Sequence, residues 1–503
     1  MAIFIFHSFF IVAQNNVLEK PVSLKFKNIS VYDALSKITK KTAYYFTYDG
    51  ATLDANRIIN IHCKNETLRS CLDRIFDDKK LVYKVIDNHI VINKQKQFNL
   101  IRQIAKDTTI KFIEIKGKVV DEKNNQSLAF AAVSVQNNSI GTITNEDGAF
   151  ILKIPKASFA ENLCVSYIGY ANTCIPVKEL CGKVQNIKLQ RNYVSVQEVI
   201  IRSVDPKTII RRANGRIKNN YPDKACYLTT FYREWVKNKD AFMFFSEAVL
   251  KIYKSAYVDA FDIDQVKMLK ARNYRNVSER DTVQLKLKSG LHDALLLDVV
   301  RNSIDFLDEE NFQYYDYKMV DIVKYNNHPA YVIEFEQKKN VQDALYVGQI
   351  YIDIDELAII GAEFSINQTK IAKANSRFVV KKERGLKLSV KQAKYRISYH
   401  KVNEKYYLRH VFGELKMRVR KKKKLFATTF QTTLEMAVID IDTVDVHRFK
   451  RKETIRLNTI FTDDARDYDE AFWGDYNFIK PEDSWQEAIN KLQLKLKKET
   501  STD

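Results

Sequence analysis

Hydrophobic and polar positions along the chain change their period three times. Ile3–Val12 ("IFIFHSFFIV") is largely apolar. It has the length of a signal-peptide core and is too short to cross a bilayer as a helix. Residues 1–13 are therefore read as a signal peptide cleaved before Gln14, with a buried first strand as the alternative. No basic residue precedes the run, and the expected start codon lies upstream.

The second pattern occurs twice. Leu24 and Phe26 alternate with polar residues, as do Ile59, Ile61 and Cys63, which predicts strands. Val31, Ala34, Leu35 and Ile38 share one helical face, and Leu68, Cys71, Leu72 and Ile75 another. "FKNISVYDALSKI" (Phe26–Ile38) aligns with "CKNETLRSCLDRI" (Cys63–Ile75) at a shift of 37 residues, with Ser30 and Thr67 as N-caps. Each unit reads strand, helix, strand, the second strands being "AYYFTYD" and "LVYKVID". Cys63 and Cys71 point inward as core residues, with a strand-to-helix disulfide as the alternative.

From Ile113 the period becomes two. Strands are expected at Ile115–Val120, Ala132–Gln136, Gly141–Thr144 and Phe150–Ile154. Asn145-Glu146-Asp147-Gly148 reads as a hairpin turn, with Asp147-Gly148 supplying positive φ. A calcium loop is the weaker reading, because these oxygens are too few for six ligands. A further hairpin about Gly169 sets Cys164 opposite Cys174. An unpaired buried pair is expected there, and a cross-strand disulfide is the alternative.

After Pro206, which opens an amphipathic helix (Ile209, Ile210, Ala213, Ile217), long strands follow one another. They include "YLTTFYREWVKN", "AFMFFSEAVLKIYK", "PAYVIEFEQK", "KYYLRHVFGELKMRVR" and "KLFATTFQTTLEMAVIDI". Short turns between them predict an antiparallel meander, interrupted by a helical stretch near 291–307. The fold class is α+β and mainly β. The expected divisions are 14–96, 113–195, 205–480 and a helical tail at 481–503. The 27 Tyr and 29 Phe agree with a β-rich chain, and 13 Gly with 7 Pro leave little room for flexible linkers.

Three resemblances follow from these stretches. The βαβ repeat over Val17–Asn93 resembles the secretin and TonB short N-terminal domain (STN-like). That likeness implies a periplasmic protein–protein docking module without catalytic residues. "GKVVDE", "LAFAAVSV", "GTITNEDGAFILKIP" and "VSYIGY", in that order over Ile113–Leu189, resemble the carboxypeptidase D regulatory-like domain. A transthyretin-like β-sandwich without zinc ligands is implied. "YVIEFEQ" followed by "GQIYIDIDELAIIGAEF" resembles periplasmic lipoprotein-carrier (LolA-like) half-barrels.

Net charge is +20, and Lys381–Lys424 holds 17 Lys and Arg against three acids. Charge of this kind bears on partners rather than fold. Lys416, Arg418, Arg420, Lys421, Lys422, Lys423 and Lys424 are the candidate patch for anionic lipid or lipopolysaccharide. In the same reading Lys387, Lys416, Arg418 and Arg420 face outward from a concavity able to hold an acyl chain. A solvated hairpin tip is the plainer alternative, and export argues against nucleic acid.

No histidine-based zinc motif, nucleophile elbow or phosphate loop occurs, and the eight histidines (7, 62, 89, 292, 328, 400, 410 and 447) are scattered. The aspartates of "IDID" at 352–355 and 439–442 are expected to face water. Catalytic residues, cofactors and metals are therefore not expected. The leading reading is a non-enzymatic periplasmic protein associated with the outer membrane. It docks a protein partner through its N-terminal domain and binds a lipid or other ligand in its β-rich domain. The alternative is a TonB-linked transporter-like protein with a C-terminal membrane barrel, which charges at Lys416, Arg418 and Arg420 disfavour.

Overall fold

The computed structural model describes residues 17–48, 57–77, 81–86, 89–94, 112–136, 138–180, 184–192, 205–239, 241–258, 262–275, 286–287, 290–381, 386–421, 427–455 and 470–482. The expected signal peptide, Lys422–Lys424 and the expected tail beyond Glu482 lie outside them. The chain forms two compact units, Met1–Lys111 and Phe112–Asp503. It is mainly β, with several sheets and one large antiparallel sheet.

The first unit runs β1 (Pro21–Ser30), α1 (Val31–Thr42), β2 (Tyr45–Tyr48), β3 (Ile58–Thr67), α2 (Leu68–Phe76), β4 (Leu81–Ile86) and β5 (His89–Lys94). The 37-residue shift maps β1 onto β3 and the start of α1 onto that of α2. Ser30 Oγ accepts from Asp33 N at 3.0 Å, and Thr67 Oγ1 from Ser70 N at 3.2 Å, so both helices begin on the expected caps. Asn28 and Asn65 share a left-handed φ of 56° and 55°. β1 and β3 pair antiparallel with Leu24 opposite Cys63 and Phe26 opposite Ile61, two pairs that exchange under the repeat.

Each unit is strand, helix, strand, and the second strand of each joins a different sheet from the first, ordered β2-β5-β4. The strand missed in the sequence, β5, bridges β2 and β4 with Ile90 and Ile92 buried. Cys63 and Cys71 are buried free thiols.

The second unit opens with a sandwich of β6 (Phe112–Asp121), β7 (Ala132–Val135), β8 (Gly141–Ile143), β9 (Ala149–Pro155), β10 (Asn162–Ser166), β11 (Thr173–Pro176) and β12 (Val184–Leu189). Its sheets are β11-β10-β7-β8 and β12-β6-β9, closed over Val119, Val133, Phe150, Leu152, Leu163 and Val165. The turn at 145–148 is not a hairpin. β8 and β9 belong to opposite sheets, and the turn carries the chain across the core. Asn145 organises it by accepting from Gly148 N at 2.9 Å on its carbonyl and from Ala149 N at 2.8 Å on its side chain. Only Gly148 takes positive φ (75°), and a Cβ there would lie 2.6 Å from Val119 O. Cys164 and Cys174 form a disulfide rather than the expected unpaired pair. They face each other across β10 and β11 on a half-exposed face, where core packing does not hold them apart.

The remainder builds one ten-stranded antiparallel sheet. Its strands are β13 (Cys226–Asn238), β14 (Ala241–Lys254), β15 (Gln265–Arg275), β17 (Tyr315–Tyr325), β18 (His328–Gln337), β19 (Tyr346–Asp353), β20 (Ile359–Ile366), β22 (Leu386–Val402), β23 (Lys405–Lys421) and β24 (Thr428–Asp442). β16 (Lys286–Leu287) and β21 (Val379–Lys381) pair separately. The order β15-β14-β13-β24-β23-β22-β20-β19-β18-β17 departs from a simple meander, because the last strand returns beside β13. β15, lysine-rich and not read from the sequence, forms one edge. Helix α3 (Pro206–Gly215), capped by Asp205, and helix α4 (Gly290–Leu296) cover one face. α4 is shorter than the helix expected over 291–307.

The sandwich and residues 470–482 cover the other face. Ile143 and Ile151 meet Phe231, Val249, Ala437 and Ile439 there, with Trp473, Phe478 and Ile479 packed among them. Within this apolar contact Arg233 is fully buried. Its Nε donates to Glu435 at 2.6 Å and its Nη2 to Glu482 at 2.7 Å. Burial opposes ionisation of Glu435, but Arg233 and then His410 outweigh it and hold the carboxyl below its ordinary value.

Two stability outcomes follow. Gly148→Val should cost roughly 1–3 kcal/mol from backbone strain alone, read as a lower denaturation midpoint; an unchanged midpoint contradicts the turn geometry. Arg233→Met leaves two buried carboxylates uncompensated and should cost about 3–5 kcal/mol near neutral pH. The pH slopes of the two proteins should be opposite. In the parent, Glu435 has a depressed folded pKa, so its contribution is lost as pH falls through that value. In the variant, burial acts on Glu435 with His410 but no guanidinium to oppose it, so its carboxyl pKa rises and stability recovers as pH falls toward about 4. Denaturation midpoints across this range check both signs.

Candidate ligand-binding face

Strand alternation gives the large sheet an apolar face opposite the sandwich. Leu228 and Tyr232 of β13, Leu250 and Ile252 of β14, Met436 and Val438 of β24, and Ile397 and Tyr399 of β22 all point to it. Among the described residues no second sheet covers this face. The cover is α3, α4, the irregular stretch 297–308 and the short 3-10 helix Glu309–Tyr314 that follows it.

That stretch carries Val299, Val300, Phe306 and Leu307 into the core. The Phe306 ring stacks on Phe335 at 4.1 Å and meets Phe364 edge-on at 4.9 Å. Tyr346 and Tyr395 flank Phe364 at 5.2 and 5.1 Å. Phe306 thus fills an aromatic cradle formed by β18, β20 and their neighbours. Its backbone is held by side chains rather than by a strand ladder. Tyr317 donates to Phe306 O at 2.9 Å, and Asn214 to Leu307 O at 2.7 Å.

A polar seam anchors the start of the same stretch. Buried Asp298 accepts from Tyr399 at 2.7 Å, Tyr257 at 2.9 Å and Lys254 Nζ at 2.8 Å; Lys254 also reaches Asp264 at 2.8 Å. Burial works against the Lys254 ammonium, but Asp298 and Asp264 outweigh it and raise its pKa. A protonated amine is no nucleophile, so the seam fixes position rather than supplying a reactive group.

The anticipated basic residues sit elsewhere. Arg418 and Arg420 are exposed on β23, alternating with buried Met417 and Val419, and Lys387 is exposed on the neighbouring β22. Lys416 is half-buried, 3.4 Å from Glu414. The side chain of Lys421 lies outside the described part. The apolar side of this hairpin does not line an open concavity as anticipated. Met417 packs with Val390, Ala393, Ile371 and Ala374 in a small cluster closed by the turn at 371–378.

Asp353 of "IDID" does not face water. It is buried, and accepts from the backbone N–H groups of Asp355 and Glu356 at 2.9 and 2.7 Å to shape the turn after β19. A cleft of about 500 Å3 lies where Asn138 and Ser139 of the sandwich meet Cys226, Asn403, Lys405 and Tyr407. Burial pushes the Cys226 thiol up to about 12, and Lys405 is engaged with Asn219 O at 2.8 Å, so the cleft presents no assembled chemistry. The Phe306 cradle was missed in the sequence. The only signal was the density of Phe and Tyr on strands that alternate with polar residues.

No curated protein matches the chain. Among solved structures, a DUF1329 family protein from Desulfovibrio piger ATCC 29098 is similar at 12% identity and a TM-score of 0.20, over 48% of this chain and 96% of that one. Lipovitellin is similar at 8% identity and a TM-score of 0.22, over 46% of this chain and 26% of its own. Residues 115–201, the sandwich and the segment after it, match the family model for the CarboxypepD_reg-like domain, in agreement with the resemblance carried by "GKVVDE" and "GTITNEDGAFILKIP".

Proposed function

We propose that the chain is a non-enzymatic binding protein of the periplasm, associated with the outer membrane, whose large sheet accepts the apolar part of an amphipathic ligand. The observation that supports this most is the cover of the apolar face. Phe306 and Leu307 enter it on an irregular segment held by a few side-chain hydrogen bonds, so that segment can leave without breaking a sheet ladder. An acyl or ring-bearing tail would take the place of Phe306 between Phe335 and Phe364. The N-terminal unit serves as the docking module for a periplasmic or outer-membrane protein. The sandwich acts as a spacer fixed to the back of the sheet. The barrel alternative is less favoured because the face bearing Phe231, Val249 and Ala437 is buried against the sandwich, where a spanning barrel needs a lipid-facing surface.

Arg418, Arg420 and the lysines that follow are the proposed contact with anionic head groups. Each would contribute about 1 kcal/mol, screened by salt.

Two measurements test the reading. Phe306→Ala should cost about 3–5 kcal/mol of stability while raising the affinity of the delipidated chain for a fluorescent fatty acid. If neither parent nor variant binds it, the carrier reading fails. Arg418→Gln with Arg420→Gln should weaken sedimentation with anionic vesicles at low salt and leave the melting curve unchanged. Equal sedimentation of parent and variant would assign these residues to a solvated tip.

A further inference from the structure

The repeat in the first unit supplies an internal reference. Its second copy keeps the left-handed Asn, the N-cap hydroxyl and the apolar positions Leu68, Leu72 and Ile75 that answer Val31, Leu35 and Ile38. It departs at three positions that meet in space. Phe26, Ile29 and Ala34 of the first copy pack in the core, and their counterparts are Cys63, Glu66 and Cys71. One sulfur or oxygen from each of these three lies within 4.8 Å of the others. Both sulfurs are buried free thiols.

We propose that Cys63, Cys71 and Glu66 bind a soft divalent metal ion of the zinc type. Two thiolates and a carboxylate suit such an ion, and the half-exposed Glu66 side leaves a fourth position for water. Outer partners already orient the carboxylate, with Ser70 Oγ donating to one oxygen at 3.0 Å and Arg74 Nη1 to the other at 2.8 Å. Arg74 also offsets the single negative charge that a divalent ion with two thiolates and a carboxylate would carry. A zinc-type ion binds cysteine as thiolate, so binding releases thiol protons and tightens as pH rises.

The test uses the full chain as isolated, with the Cys164–Cys174 disulfide intact, titrated with cadmium. A thiolate-to-cadmium absorption band should grow to about one ion per chain. Cys71→Ala installs the residue found at the matching place of the first copy. It should abolish the band while the circular dichroism spectrum and melting curve stay those of the parent. Glu66→Gln should keep the band but weaken the affinity roughly tenfold. Cys226→Ala, in the other unit, should change nothing. Lowering the pH from about 8 to about 6 should weaken cadmium binding. Absence of a band in the parent, or its survival in Cys71→Ala, overturns the site. So does recovery of a Cys63–Cys71 disulfide from the untreated chain, since the pair would then be a staple like Cys164–Cys174.

Discussion

The second unit is organised by the compensation of one buried charge. Arg233 sits on a central strand with no exposure, and an uncompensated guanidinium there would cost more than a domain's whole net stability. Its partners come from far along the chain, Glu435 by 202 residues and Glu482 by 249. The return of β24 beside β13 delivers the first. The docking of 470–482 between sheet and sandwich delivers the second. Apolar packing of Trp473, Phe478 and Ile479 favours that docking in general, but tolerates sliding. The ion pair does not, because one residue of slip would leave Glu482 away from the guanidinium. Asn477 adds a second register lock, accepting from Lys153 N at 2.7 Å and donating to Lys153 O at 3.0 Å.

This arrangement constrains where the proposed binding could occur. With the sandwich and the 470–482 segment on one face, only the opposite face of the sheet can exchange its cover. The Asp298 seam divides that cover in two. Val300 N donates to Tyr399 Oη at 3.2 Å close to the seam, so the segment's beginning is tied to β22 and β14. The portion bearing Phe306 is tied by fewer bonds. Opening about the seam keeps its buried charges paired, whereas opening through it would expose Lys254 and Asp298 to separate solvation. A movement that spares the seam is therefore the cheaper one, and it uncovers Phe335 and Phe364.

Local signals in the sequence were the legible ones. Ser30 and Thr67 cap their helices, Pro206 opens the helix that buries Ile209 and Ile210, and most long strands lie where alternation placed them. Each of these depends on neighbours within one turn or one strand. Pairing was less legible. The turn at 145–148 has hairpin chemistry in Asn145 and Gly148, yet joins strands of opposite sheets, because burial of Phe150 and Leu152 between the sheets decides where β9 goes. Alternation likewise could not show that Asp353 is a buried turn-former, since its partners are backbone N–H groups. Arg233 and Asp298 carry no local signal, because their compensating groups lie outside any local window.

Gly141 and Gly148 show the same divide within eight residues. Gly148 is explained by its own φ, so a turn signal suffices to read it. Gly141 has no left-handed backbone to explain it. A Cβ there would lie 2.7 Å from Arg409 Nη2, the atom that donates to Val133 O at 3.1 Å and Thr142 O at 2.9 Å. The same Cβ would lie 2.9 Å from Val133 O, so the glycine is required by that carbonyl together with an arginine 268 residues later, which pins the sandwich to the sheet by two backbone carbonyls. Such a requirement becomes visible in a sequence only when the chain carries its own comparison. The first unit does, because one copy of its repeat shows what the other would be if packing alone decided it. A cysteine in place of an alanine and a glutamate in place of an isoleucine are departures from a packing rule, and they converge in space.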